Sequence, residues 1–173
     1  MRILTRFAIA LAGAAGLLFA QSPPAEASAT IAGKPISIKY SSPSVRGRQI
    51  FGEGGVVSQN STYPVWRGGA NAATTLQTGA NLDIGGLNVP AGTYTLYVLV
   101  KDPDNWKLIV NKQTGQNGDS YDAGMDLGRV DMKMEKPPAP IERLKYTITA
   151  SGNTGTIQLE WEKHIASVAI RAK

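Results

Sequence analysis

Apolar side chains in this chain alternate with polar ones, and turn residues cut the alternation about every ten positions. Ile36, Ile38 and Tyr40 take one phase while Ser37, Lys39 and Ser41 take the other, the period of two that a half-buried strand requires. The same phase recurs at Leu82 and Ile84, at Trp106, Leu108 and Val110, and at Val130, Met132 and Met134. It returns at Leu144, Tyr146 and Ile148, at Ile157, Leu159 and Trp161, and at Val168 and Ile170. Residues 93–101 (TYTLYVLVK) are apolar on both phases and predict a central strand. Gly85-Gly86, Pro90-Ala91-Gly92, Asp102-Pro103-Asp104, Asn117-Gly118 and residues 151–155 (SGNTG) supply the turns. After the leader, no segment keeps a helical apolar period over about 12 residues. These features predict an all-β fold, an antiparallel two-sheet β-sandwich (jelly-roll or immunoglobulin-like) of eight or nine strands, with a flattened barrel as the rival.

The N-terminus reads differently. Arg2 and Arg6 precede an uncharged apolar run from Phe7 to Ala20, and Ala25-Glu26-Ala27 fits the small-residue exit of a secretory signal peptide. The run is shorter than the roughly 20 apolar residues of a membrane span. Residues 1–27 are therefore expected to be a cleaved signal peptide, with the cut before Ser28 and Ala29 as the nearby alternative. Residues 28–173 then form a single β-sandwich domain, with residues 21–35 a processing region and loose lead-in. The product is expected to be soluble and exported, to the periplasm or outside the cell, with no membrane span after cleavage.

Charge and cysteine content narrow the chemistry. The formal net charge is +5 at pH 7, but the basic residues are scattered rather than striped between aromatics, which argues against a nucleic-acid partner. There is no cysteine, so an exported domain here relies on its core rather than on disulfides. Thiol catalysis and thiolate metal sites are excluded. His164 is the single histidine, and no G-x-S-x-G elbow accompanies it, so it reads as a solvated turn residue and not as a catalytic base. Asp102, Asp104, Asp119, Asp122 and Asp126 cluster in two loops, but neither matches a calcium loop, and Asp also starts turns through its own backbone bonds. Residues 47–55 (GRQIFGEGG) lack the ending and the following helix of a phosphate loop. No motif implies a cofactor or a metal.

One stretch stands apart. In residues 65–75 (VWRGGANAATT) an apolar Val-Trp pair gives way to Arg67, two glycines, Asn71 and Thr74. Gly68 and Gly69 permit a sharp turn that presents the polar side chains on one side. Arg offers a planar fork of donors to a carboxylate, phosphate or sugar oxygen, and Asn both donates and accepts. The same residues equally serve a structural end, with Arg67 paired to Asp83 or Asp126 while Asn71 and Thr74 cap backbone groups.

Four stretches in order, residues 40–52 (YSSPSVRGRQIFG), 65–75, 89–98 (VPAGTYTLYV) and 105–112 (NWKLIVNK), resemble those that mark DUF 2911, a family of exported bacterial proteins of unknown function. The resemblance runs from about Ala29 to the end and implies no particular activity. Family members often read Asn-Glu-Ala-Thr where this chain has Asn71-Ala72-Ala73-Thr74, so a carboxylate base at that spot is missing.

The leading expectation is a non-catalytic module that binds a small polar or anionic ligand, such as a sugar or envelope glycan. Arg46, Arg48, Arg67, Asn71 and Thr74 would form the site, with Trp66 as a flat face. A protein-interaction or envelope-scaffold module is the alternative; an exposed apolar patch would favour it, and a concave polar pocket the first. A hydrolase using Glu160 and Glu162 is the third, although their alternation with Leu159 and Trp161 suits a solvated strand face. Oligomeric state is left open.

Overall fold

A computed structural model describes residues 21–173; the apolar run of the expected leader lies outside the described residues. Thirteen strands follow one another: β1 (Pro24–Ile31), β2 (Lys34–Ser41), β3 (Val65–Trp66), β4 (Thr74–Thr78), β5 (Leu82–Ile84), β6 (Leu87–Val89) and β7 (Gly92–Leu99), then β8 (Lys107–Asn111), β9 (Asp126–Asp131), β10 (Lys133–Glu135), β11 (Ile141–Ser151), β12 (Thr154–Glu162) and β13 (His164–Ala172). One sheet of seven strands runs β1-β2-β4-β7-β8-β9, with β3 also paired to β7. The other, of six, runs β11-β12-β13-β5-β6, with β10 also paired to β13. Every pairing between strands is antiparallel, and the two sheets form the predicted sandwich.

The alternation does the packing. Ile36, Ile38, Leu76, Leu96, Val98, Leu108 and Val110 of the first sheet share one hydrophobic cluster with Leu144, Tyr146, Ile157, Leu159, Val168 and Ile170 of the second. Trp106 and Trp161 are buried in it, as their strand phase requires. β7 is buried on both faces because a second cluster of Val65, Tyr97 and Ile109 covers the outside of its sheet. Tyr121 from the β8–β9 loop closes that outer cluster, its ring 4.9 Å from that of Tyr97.

Two expectations change. The strand count exceeds eight or nine, partly because Val130, Met132 and Met134 do not lie on one strand. β9 pairs with β8, while β10 pairs with β13 in the opposite sheet. Buried Met132 marks the crossing, its N–H bonded to the Trp106 carbonyl at 2.9 Å. A side chain that stays inward while the strand changes sheet leaves the apolar phase intact and hides the break.

The second change concerns residues 21–35, read as a loose lead-in. Pro24–Ile31 is strand β1, paired with β2 from Pro24↔Ser41 to Ile31↔Lys34. Ala25, Ala27, Ala29 and Ile31 form its inner phase. Alanine carries little hydrophobic signal and low strand propensity, so the alternation was faint. The expected cut before Ser28 falls in the middle of this strand. Among the described residues, no helix is long and apolar enough to cross a membrane.

Candidate functional site

Val65 and Trp66 pair with Leu99 and Val98, and the chain then leaves the sheet at Arg67. Gly68 takes φ 59°, and a Cβ there would sit 2.4 Å from Tyr146 Oη, so no other residue fits. Its carbonyl accepts from Tyr146 Oη at 2.9 Å and from Thr74 Oγ1 at 3.3 Å. Trp66 Nε1 donates to the Gly69 carbonyl at 3.1 Å. The two glycines thus press the turn against the core and satisfy three buried donors.

Arg67 reaches across the surface of this turn. Its Nη1 lies 2.7 Å from Asp119 Oδ1 and donates to the Asn71 carbonyl at 3.3 Å. Its Nη2 donates to Asn60 Oδ1 at 3.2 Å. Gly118 packs against the arginine stem, where a Cβ would come within 2.3 Å of Arg67 Cδ. Three loops therefore meet on one guanidinium. The carboxylate partner is Asp119, not Asp83 or Asp126: Asp83 pairs with Lys173 at 3.4 Å and Asp126 with Arg129 at 2.9 Å.

Beside this hub lies a cavity of about 130 Å³, lined among others by Ser22, Arg48, Asn60, Trp66, Arg67 and Trp161. No acidic residue lines it. Arg48 Nη2 and Nε donate to the carbonyls of Ser44 and Val45, and no carboxylate among the described residues pairs with it. The Trp161 indole N–H is buried and has no protein acceptor. The cavity is thus rich in donors.

Of the six residues singled out in the sequence, Arg48, Trp66 and Arg67 converge on this cavity. The other three do not line it. Thr74 is fully buried, its hydroxyl committed to Gly68. Asn71 sits at φ 60°, with its side-chain amide on the Ser22 carbonyl at 3.4 Å. Arg46 sits at φ 49°, its backbone N–H donating to Glu142 Oε1 at 2.9 Å. Trp66 contributes to the wall, but at 2% exposure it offers no open face.

Arg48 also borders a larger, open basin of about 490 Å³, with Gln49, Phe51, Glu162, Lys163 and His164. Phe51 is the hub of the aromatic cluster there, with ring centroids 5.4 Å from Trp66, 4.8 Å from Trp106 and 5.8 Å from Trp161. His164 is not a solvated turn residue. The turn is Glu162-Lys163 alone, and His164 pairs with Trp161 as the first residue of β13. Its imidazole stacks on Trp106 at 4.9 Å, and Nδ1 lies 3.3 Å from Glu162 Oε2. Burial lowers the His164 pKa against the opposing pull of the Glu162 carboxylate. Its phase signal was present in the sequence: His164 is in register with Ala166, Val168 and Ile170, all buried.

The loop carboxylates serve the backbone and their neighbours. Asp102 accepts from Asn105 Nδ2 and from Asp104 N–H, which holds its carboxyl below the usual range, and Asp122 accepts from Gly124 N–H. Asp126 receives Asn111, Tyr121 and Arg129. Among the described residues, no three potential metal ligands gather. No curated protein and no solved structure matches the chain. Residues 22–170 match the family described as "Protein of unknown function (DUF2911)", and the chain belongs to that family.

Proposed function

We propose that this protein is a non-catalytic binding module that takes a small polar or anionic ligand, such as a sugar or envelope glycan, at the Arg48–Arg67 end of the sandwich. The observation that carries this reading is the cavity itself: Arg48, Arg67 and Asn60 stand in its lining, and no acid does. Such a set is complementary to an oxygen acceptor carrying negative charge. Arg67 is already matched by Asp119, which makes Arg48 the charge left for the ligand.

A concave polar site favours this reading over the scaffold alternative. Among the described residues the exposed large apolar side chains are Tyr63 and Met125, and single exposed residues of this kind are ordinary. A thermal-shift screen of acetate, sulfate, phosphate, glucuronate and neutral sugars tests the proposal. A saturable rise in melting temperature with the anions, lost in Arg48→Gln, is the expected result. No rise with any of them overturns it.

Export is part of the same proposal. β1 begins at Pro24, and the Pro23 carbonyl accepts from Ser42 N–H at 2.8 Å, so a leader cut that spares the fold lies before Pro23. Ala20, the last residue of the apolar run, is the small residue that precedes it. Intact mass of the protein from a periplasmic fraction tests this, and a chain beginning at Ser28 overturns it.

A further inference from the structure

We infer that the ligand is an acidic oligosaccharide of at least two rings, its carboxylate in the arginine cavity and its next ring over Phe51 in the adjoining basin. This rests on the binding function proposed above and names the class of ligand. The first argument is volume. The cavity, at about 130 Å³, is much smaller than the adjoining basin of about 490 Å³, so a ligand larger than the cavity has its room on the basin side. A ligand anchored there extends outward.

The second argument is continuity. Arg48 lines both the cavity and the basin, so a ligand bound at Arg48 has the basin as its immediate neighbour. The third is the character of the basin. Partly buried Phe51 gives it an apolar surface, backed by Trp66, Trp106 and Trp161, while Gln49, Glu162, Lys163 and His164 supply a polar rim. A sugar ring has the matching division, an apolar C–H face and a hydroxyl edge. Lys163 Nζ, 3.6 Å from Glu162 Oε1, offsets that carboxylate at the rim.

The charge is placed by the lining. With no acid in the lining and Arg67 already matched by Asp119, Arg48 is the cation open to a planar carboxylate. A peptide with a free C-terminus carries the same group, but extended peptides add to an open strand edge. The basin walls are the glycine-rich loop at 47–52, Pro103 and the hairpin end at Glu162, Lys163 and His164, where β12 and β13 pair with each other and with their neighbours and leave no open edge.

The test is calorimetric titration of the chain from Gln21 to Lys173 with galacturonate and β-1,4-glucuronate as monomers, dimers and trimers, and with methyl-esterified trimers. Acetate and a short peptide ending in a free carboxylate complete the series. Dimers are expected to bind at least about tenfold more tightly than monomers, and methyl esterification to remove about tenfold or more. Arg48→Gln should weaken every acid. Phe51→Leu should bring the dimer-to-monomer ratio towards one, and Lys163→Ala, at an exposed rim position that does not endanger the fold, should do the same. Dimers no tighter than monomers overturn the inference while the small-anion reading stands, as does a peptide that outcompetes every uronate. Failure of all acids, acetate included, overturns both.

Discussion

The Arg67 guanidinium lies 2.7 Å from the Asp119 carboxylate, yet the two differ in setting: the Arg67 side chain is 15% exposed and that of Asp119 45%. Half-exposed pairs contribute little, about 0–1 kcal/mol. The greater part of the stabilisation comes from the other bonds of the same guanidinium, to Asn60 Oδ1 and the Asn71 carbonyl, and from Gly118 packed on its stem. The stretch that is most conspicuous in the sequence is therefore a clamp on three loops as well as a cavity wall.

Arg67→Ala should accordingly destabilise the domain by about 2 kcal/mol, at roughly 0.5–1.5 kcal/mol for each hydrogen bond lost. Asp119→Ala should cost about 1 kcal/mol or less. Arg67→Lys should recover only part of the loss, since one ammonium cannot serve Asn60, Asn71 and Asp119 in the geometry of a planar fork. Urea denaturation of the three variants checks the order. Equal losses for Arg67→Ala and Asp119→Ala would mean that the ion pair alone holds the loops.

Gly68 and Tyr146 should be strongly coupled. Gly68→Ala places a Cβ 2.4 Å from Tyr146 Oη at a backbone φ of 59°, and should cost about 2–4 kcal/mol through left-handed strain and the displaced hydroxyl. Tyr146→Phe alone loses one bond to a carbonyl that Thr74 still serves, about 1 kcal/mol. It also clears the space, so the double variant should be less damaged than the sum of the two. Strict additivity in chemical denaturation would refute the close approach.

His164 gives the domain a pH dependence whose sign follows from its burial. Its folded pKa lies below the ordinary value of 6.5, so the unfolded chain takes up the proton first as pH falls. The stabilisation is present above about pH 6.5 and is lost as pH falls through the lower folded pKa. Glu162 and Asp104 oppose the shift, and Lys136 adds to it. Denaturant midpoints from pH 5 to pH 8 should therefore rise with pH, and His164→Gln should flatten that segment of the profile. An unchanged profile in the variant would place the titration elsewhere.

What the sequence shows of this protein is what period and turn chemistry can carry. Ile36, Ile38 and Tyr40, or Ile157, Leu159 and Trp161, announce their strands because large apolar groups alternate with polar ones. β1 is obscured because its inner phase is mostly alanine. The crossing at Met132 is obscured because the inward phase survives a change of sheet. At the site, Arg48, Trp66 and Arg67 were conspicuous by type, whereas Asn60 and Trp161 look like a loop residue and a core residue. Their meeting at one cavity depends on how the loops close over the end of the sandwich, and no local pattern encodes that.

The position of β1 makes the N-terminus of the folded unit measurable. A chain that starts at Ser28 lacks Pro24–Ala27, hence the pairing with Ile38–Ser41, the burial of Ala27 and the bond from Ser42 N–H to the Pro23 carbonyl. It also loses Ser22, which lines the arginine cavity and accepts from Asn71 Nδ2. Several backbone bonds at roughly 0.5–1.5 kcal/mol each amount to about 2–4 kcal/mol. At about 2–4 °C per kcal/mol for a domain of this size, the melting temperature should fall by about 5–10 °C relative to a chain that starts at Gln21. Calorimetry of the two chains decides. Equal melting temperatures would show that the first half of β1 adds nothing to the fold, and would restore Ala27–Ser28 as a tolerable place for the leader to be cut.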